Sequence, residues 1–330
     1  MDIPVSPENI VSWEPRVLVI GYGGSKGLLA LGFLVPIEDS KILQYVDTYC
    51  GVSIGAIICL LMISGYPIRE IIGEAIILDI FKELFAFNVQ TSIEHGGFMS
   101  NEPIRKRLVH LIIDKFGSIP TLHGLYMRTG KSFIAATLNA TDEKCVMMGP
   151  FTHPHISCID AVLFSMNIPF IFYQLIHEGK TYVDGALANP YPIDYFDDGN
   201  TNILGIYMKT TILNNSPINN TLSLRDYALK IIDSLLDQRR MHIMQDSSIK
   251  CKHVCLQSPI IDTLGYSLTT DDKAQMIVHS FNYGKLFVKQ LQENSYQNPI
   301  IQDKLRYTYP RYYMTEEDDD LGVLNSMNIL

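Results

Sequence analysis

Three short turns hold the residue types that could do chemistry. The first is Gly51-Val52-Ser53-Ile54-Gly55, a G-x-S-x-G pattern between a strand predicted over 46–50 and an apolar helix predicted over 56–63. A serine nucleophile has to stand on a sharp strand-to-helix turn, and small flanking residues let that turn close. Gly51 and Gly55 remove side chains where neighbouring backbone would approach. The following helix directs its positive end at the Ser53 hydroxyl. Its first N–H groups have no partner inside the helix and lie near a developing oxyanion. Three fixed positions make a short pattern, and its place between strand and helix gives it weight. The alternative is a structural turn whose serine is merely small.

The second turn is Gly21-Tyr22-Gly23-Gly24-Ser25-Lys26-Gly27, between a strand over 16–20 (RVLVI) and a helix over 28–35. A dinucleotide fingerprint needs G-x-G-x-x-G. Gly21 and Gly23 comply, but Lys26 holds the third glycine position, and the phosphate-loop pattern fails as well. Two readings remain. Consecutive N–H groups on Gly23 and Gly24 could receive an oxyanion, glycine allowing the substrate carbonyl to come close. Or the loop is a tight turn without a ligand.

A serine also needs a proton acceptor. In a Ser–Asp–His chain order only His242, His253 and His279 of the nine histidines lie far enough along. The other acceptor in view is Asp184, in the third turn, YVDGALANPYPID at 182–194. A carboxylate at a strand end with small neighbours can reach a serine at the end of another strand. The same aspartate could simply close an Asx turn.

The elements that must position these turns alternate between strand and helix. Strands are expected near 16–20, 46–50, 182–184 and 202–208, with a hairpin over 132–138 and 144–148. Helices are expected over 67–85, after Ser100, over 157–166, through Leu224 to Leu236, and over 271–290. This rhythm predicts an α/β fold with a mainly parallel sheet between helical layers. With 330 residues, 47% of them hydrophobic and 18% charged, the chain can build a sizeable core, which excludes disorder, collagen and coiled coil. A net charge of −9 argues against nucleic acid as the main partner. The longest apolar run, Ile54 to Ile63, is far short of the ~20 residues a membrane span needs. The first fifteen residues lack the basic and apolar regions of a secretory signal. Six scattered cysteines read as reduced thiols, so a cytoplasmic setting is expected.

Taken together, the three turns resemble the patatin-like phospholipase family. Gly23-Gly24-Ser25-Lys26-Gly27 is similar to its G-G-x-R/K-G loop, Gly51 to Gly55 to its nucleophile turn, and Asp184-Gly185-Ala186 to its D-G-G/A motif. The order agrees, with the aspartate about 130 residues after the serine. GGFMSNEPIRKRL, KSFIAATLNATDEKCVMM and AVLFSMNIPFIF look like further family segments, and the likeness runs over roughly 14–290. Tyr22 and Ala186 depart from the family's commoner glycines. The resemblance implies a three-layer α/β/α catalytic domain over 14–290, preceded by an arm over 1–13 and followed by a polar extension over 291–330. It implies a lipid acyl hydrolase working through a Ser53–Asp184 dyad without histidine. Gly23, Gly24 and Ser25 would form the oxyanion hole, and Lys26, Gly27, Gly51, Gly55 and Gly185 would support the motifs. Neither metal nor cofactor is implied, and the substrate would be a phospholipid or other acyl lipid met at a peripheral membrane surface. Two rivals stand beside it: an α/β-hydrolase esterase using one of the three histidines, and a catalytically silent lipid-binding scaffold.

Other features have plainer readings. Cys251, His253 and Cys255 would face one side of a strand, as packing residues without a fourth metal ligand. Arg105-Lys106-Arg107 reads as a solvated helix face, His153-Pro154-His155 as an exposed loop and Asp197-Asp198-Gly199-Asn200 as a turn. The acidic run 316–320 reads as a solvated tail. Phe85, Phe87 and Phe98 surround a predicted loop over 86–100, as a lipid-facing lid or as core.

Overall fold

A computed structural model describes residues 13–77, 95–210, 224–258 and 268–296. Side chains of 75–77, 210 and 224–230 are outside that description. Phe85, Phe87, the acidic run and nearly all of the expected C-terminal extension lie outside it too.

In chain order the elements are β1 (Val17–Ile20), α1 (Gly27–Asp39), β2 (Thr48–Val52), α2 (Ile54–Ile63), α3 (Ile68–Ile77), β3 (Gly97–Met99), α4 (Glu102–Phe116), α5 (Leu122–Thr129), β4 (Ser132–Asn139) and β5 (Lys144–Met148). They continue as α6 (Cys158–Ser165), β6 (Phe170–Phe172), β7 (Leu175–His177), β8 (Lys180–Asp184), β9 (Ile203–Thr210), α7 (Leu224–Asp246), β10 (Cys251–Ser258) and α8 (Thr270–Gln292).

The main sheet has the order β10-β9-β1-β2-β4-β8-β7, with β5 paired to β4. From β10 to β4 every neighbour is parallel. β5 and β8 run antiparallel to β4, and β7 antiparallel to β8. The fold is therefore the mixed α/β architecture with a mostly parallel central sheet that the alternation predicted. β1 shows why helices must cover both faces. All four of its residues are buried. Leu18 and Ile20 join the core formed with α1, α2 and α8, whereas Val17 and Val19 join a second core with Tyr191, Tyr207 and Met244 of α7. A strand buried on both sides reads as a continuous apolar run, as RVLVI does.

Most boundaries lie within a few residues of those expected; β2 is shifted to 48–52 and α7 extends well beyond Leu236. At the start of α4 the N-cap position belongs to Asn101 rather than Ser100; the Ser100 hydroxyl instead accepts the Glu102 N–H at 3.1 Å. Part of the expected 86–100 loop is strand β3, paired in parallel with β6. The basic triplet on α4 is less solvated than expected. Arg105 pairs with Asp160 at 2.6 Å, and Arg107 pairs with Glu74. Asp197 and Asp198 accept local N–H groups, as in a turn. All six cysteines are free thiols. Among the described residues no helix is long and apolar enough to cross a membrane.

Candidate active site

Parallel strands put the turns after β1 and β2 at the same edge of the sheet, and these are the glycine loop and the serine turn. At Ser53 the chain goes from β2 straight into α2. Its φ of +56° lies in the left-handed region that a non-glycine residue seldom occupies. Such strain costs about 1–3 kcal/mol and persists only where the surroundings enforce it. The flanking glycines are part of that enforcement. A Cβ on Gly51 would stand 2.3 Å from the Ala56 nitrogen, and one on Gly55 would stand 2.2 Å from the Ile20 carbonyl oxygen. No side chain fits at either place.

Asp184 reaches this point from the other side of β4. Val52 pairs with Ala136, and the next residue of β4, Thr137, pairs with Asp184. Ser53, one step beyond Val52, is thus level with Asp184 across one strand. The chain then turns at Gly185, where a Cβ would lie 2.0 Å from the Ala136 carbonyl oxygen. The Ala186 N–H donates to Asp184 Oδ1 at 2.8 Å, the Asx-type bond that the sequence allowed, and the Ser53 hydroxyl is the carboxylate's second partner. The Asx-type bond and the contact with Ser53 thus coexist on one carboxylate.

Burial controls the electrostatics. Asp184 is 4% exposed. Desolvation raises its pKa to about 6, against the opposing pull of the Ala186 N–H and the Ser53 hydroxyl. A carboxyl titrating there is ionised at neutral pH, yet far more basic than a surface aspartate.

In the glycine loop, Gly24 has φ +54° and begins a single 3₁₀ turn over Gly24–Lys26. The N–H groups of Gly21, Tyr22 and Lys26 are taken by Ile206, Pro190 and Gly23 carbonyls. Among the described residues no backbone carbonyl takes the N–H of Gly23, Gly24 or Ser25. The Ser25 hydroxyl is buried without a hydrogen-bond partner. Gly27 lets this loop lie against the serine turn, since a Cβ there would meet Ile54 Cγ1 at 2.5 Å. Tyr22, the departure from the family pattern, donates its hydroxyl to Asp233 Oδ1 on α7 at 3.0 Å.

These groups converge on one cavity of about 380 Å³. Gly23, Gly24, Lys26, Ser53 and Asp184 line it; Ser25 does not. The remainder of the wall is mainly apolar: Phe98, Ile168, Pro169, Phe170, Ile171, Leu187, Ile232 and Leu236, with Tyr22 and Asp233. Phe98 is the one of the three phenylalanines that can be placed, and it lies in this wall.

None of the three candidate histidines lines the cavity. His279 is exposed on α8. His242 borders a separate cavity with Asp194, Asp197 and Asp246. His253 is fully buried on β10, separated from β2 by β9 and β1. Its Nδ1 meets the Tyr191 hydroxyl at 3.0 Å and its Nε2 the Ser247 hydroxyl at 2.8 Å. Burial lowers its pKa to about 4. Cys251 and His253 are both buried, on the face expected for packing residues. The described residues hold no cluster of three His, Cys, Asp or Glu side chains that could take a metal ion.

Two supporting residues were not singled out from the sequence. Ser165 Oγ accepts the Ser53 N–H at 3.0 Å, so that N–H is already engaged. The Asn167 carbonyl accepts the Asp184 N–H at 2.9 Å, and its side chain donates to the Tyr182 carbonyl at 3.0 Å. The available signal was a serine and an asparagine inside the apolar run AVLFSMNIPFIF, where an unpaired polar group is costly.

The family model described as patatin-like phospholipase matches residues 18–197, which include all three turns. The chain belongs to that family. Among curated relatives, the uncharacterized protein R571 of Acanthamoeba polyphaga mimivirus is 27% identical over 254 residues, 74% of this chain and 82% of that protein. The probable lipid hydrolase 463L of Invertebrate iridescent virus 6 is 29% identical over 187 residues, 54% of this chain and 62% of that protein. Among solved structures, VipD from Legionella pneumophila superimposes with a TM-score of 0.54 at 14% identity, covering 86% of this chain and 67% of VipD. At that identity the likeness speaks for the fold alone.

Proposed function

We propose that this chain is a lipid acyl hydrolase that cleaves carboxylic esters of glycerophospholipids or related lipids through Ser53 and Asp184. The observation that carries the reading is the pairing of a serine at a left-handed turn with a buried carboxylate pushed up to about 6, inside an apolar cavity. The name of the iridescent-virus relative points the same way.

In this reading the acyl chain lies along the apolar wall. Asp184 takes the Ser53 proton as Oγ bonds to the ester carbonyl carbon. The tetrahedral oxyanion is met by the N–H groups of Gly23 and Gly24, which line the cavity. Collapse expels the alcohol, which takes the proton back from Asp184. A water then gives its proton to Asp184 and attacks the acyl carbon; the acyl–Oγ bond breaks as Asp184 returns that proton to Oγ, releasing the fatty acid and restoring Ser53 and Asp184. A carboxyl near 6 can both accept and return a proton at neutral pH, which is what a two-stage acid–base role requires. Every proton transfer uses Asp184, so the mechanism asks for no metal.

The test is fatty-acid release from phosphatidylcholine vesicles by the wild type, Ser53→Ala and Asp184→Asn, with and without chelator. Release by the wild type alone, indifferent to chelator, is the expected result. No release by a folded wild type would overturn the proposal and leave a lipid-binding scaffold. Loss on His253→Gln with retention on Asp184→Asn would replace the dyad by a histidine mechanism.

A further inference from the structure

Four large apolar side chains line the Ser53 cavity and yet face solvent: Phe98 at 37% exposure, Phe170 at 75%, Leu187 at 37% and Ile232 at 39%. They come from four elements, namely the paired strands β3 and β6, the turn after Asp184, and α7. No single element's amphipathic pattern accounts for their meeting at one mouth. Phe170 is also held at φ +67°, a conformation that disfavours any side chain, so an exposed phenylalanine stands there against backbone preference.

Charge narrows what this rim can meet. Among the described residues that line the cavity only Lys26 is basic, and it is 3% exposed, so it offers no cation at the mouth. Asp233 is acidic, and the whole chain carries −9. An anionic surface would be repelled rather than attracted.

We propose that Phe98, Phe170, Leu187 and Ile232 form an interfacial rim that inserts into the surface of an electrically neutral or zwitterionic lipid layer, bringing the cavity mouth directly onto its acyl chains. The occupant follows from continuity: the rim is the outer edge of the same apolar wall that, on the function proposed above, receives an acyl chain. A lipid leaving a bilayer would then pass from hydrocarbon to the cavity without crossing water. Binding is driven by apolar burial, so salt leaves it standing.

The experiment is vesicle flotation of the Ser53→Ala chain, which keeps the lipid intact whatever the activity. Phosphatidylcholine vesicles are expected to carry it, and the bound fraction to persist in high salt. Adding phosphatidylglycerol is expected to give no gain. Phe170→Gly is the informative variant, because glycine is at ease at that φ and folding is preserved. It is expected to weaken binding at least tenfold, about 1.4 kcal/mol. Phe98→Ser covers the same question from another strand. No binding to phosphatidylcholine would overturn the proposal. So would binding that needs anionic lipid and vanishes with salt, or binding indifferent to both variants. Vesicle binding without any ester hydrolysis by the wild type would instead remove the hydrolase reading and leave the rim. Hydrolysis of a dispersed short-chain ester without vesicle binding would do the reverse.

Discussion

Two buried bases lie in the same sheet and meet opposite fates. Asp184, at the end of β8, has its carboxylate on the cavity wall beside a serine held at a left-handed turn. His253, in the middle of β10, has both ring nitrogens occupied, by Tyr191 and Ser247. Burial raises the pKa of the first to about 6 and lowers that of the second to about 4, in each case by opposing the charged form. The shift alone therefore does not distinguish a working base from a packing residue. On the proposed mechanism, access and free valence do: Asp184 borders the cavity, and both ring nitrogens of His253 are already engaged.

The sharpest way to break this contrast is activity. Ser53→Ala and Asp184→Asn are each expected to lower kcat by about 10⁴-fold, the order seen when a nucleophile or its base is removed. His253→Gln is expected to stay within a few-fold of the wild type. Steady-state rates on one ester substrate check all three. A wild-type rate that rises with pH through about 6 is the matching profile, since only ionised Asp184 accepts the serine proton.

Next in size is the backbone that holds the serine. Gly55→Ala would force a methyl to within 2.2 Å of the Ile20 carbonyl oxygen, so β1 and α2 must part. The expected destabilisation is about 3 kcal/mol, at the high end for overpacking, measured by denaturant unfolding.

How much of this was legible follows from where each constraint originates. The serine turn and the glycine loop were readable because their demands are local: Gly51 and Gly55 are needed where Ala56 and β1 approach within a few residues or one strand. The choice between Asp184 and the histidines was not local. It depends on β8 running antiparallel to β4, so that Asp184 falls beside Thr137, level with Ser53. No periodicity in the chain announces that register. Ser165 and Asn167 escaped for a similar reason, each supporting a backbone N–H far away in sequence. β3 and β6 are three residues each, too short to show alternation.

The two bases also leave opposite marks on stability. Asp184 binds its proton more tightly folded than unfolded, so its contribution is present below about 4 and lost as pH rises toward 6. His253 binds its proton less tightly folded, so its contribution is present above about 6.5 and lost as pH falls toward 4. Each is on the order of 3 kcal/mol by the size of the shift, and between about 4 and 6 their opposite pH slopes nearly cancel. Asp184→Asn is expected to unmask a stability that rises with pH across that window, and to gain stability at neutral pH, as strained functional sites commonly do when relieved. His253→Gln is expected to unmask the opposite slope and to lose about 1–3 kcal/mol for the hydroxyls left unpaired. Urea unfolding at a series of pH values separates the two.

The smallest expected effect tests whether the glycine loop is steadied from outside the sheet. Burial and the nearby Asp233 and Asp237 charges hold the Tyr22 hydroxyl well above its ordinary pKa, so it remains a donor to Asp233 throughout the working range. That bond ties the residue preceding Gly23 to α7, whose Ile232 and Leu236 form part of the cavity wall. Tyr22→Phe keeps the ring packed beside Leu236 and removes only the tie. The expected loss of stability is about 1 kcal/mol, modest because Asp233 is half-buried and can be rehydrated. If the tie also holds the Gly23 and Gly24 N–H groups in place, kcat falls several-fold while KM is unchanged, since a loosened oxyanion donor is felt only in the transition state. An unchanged kcat with an altered KM would assign Tyr22 to the acyl-chain wall instead, and would separate the two jobs that this one residue joins.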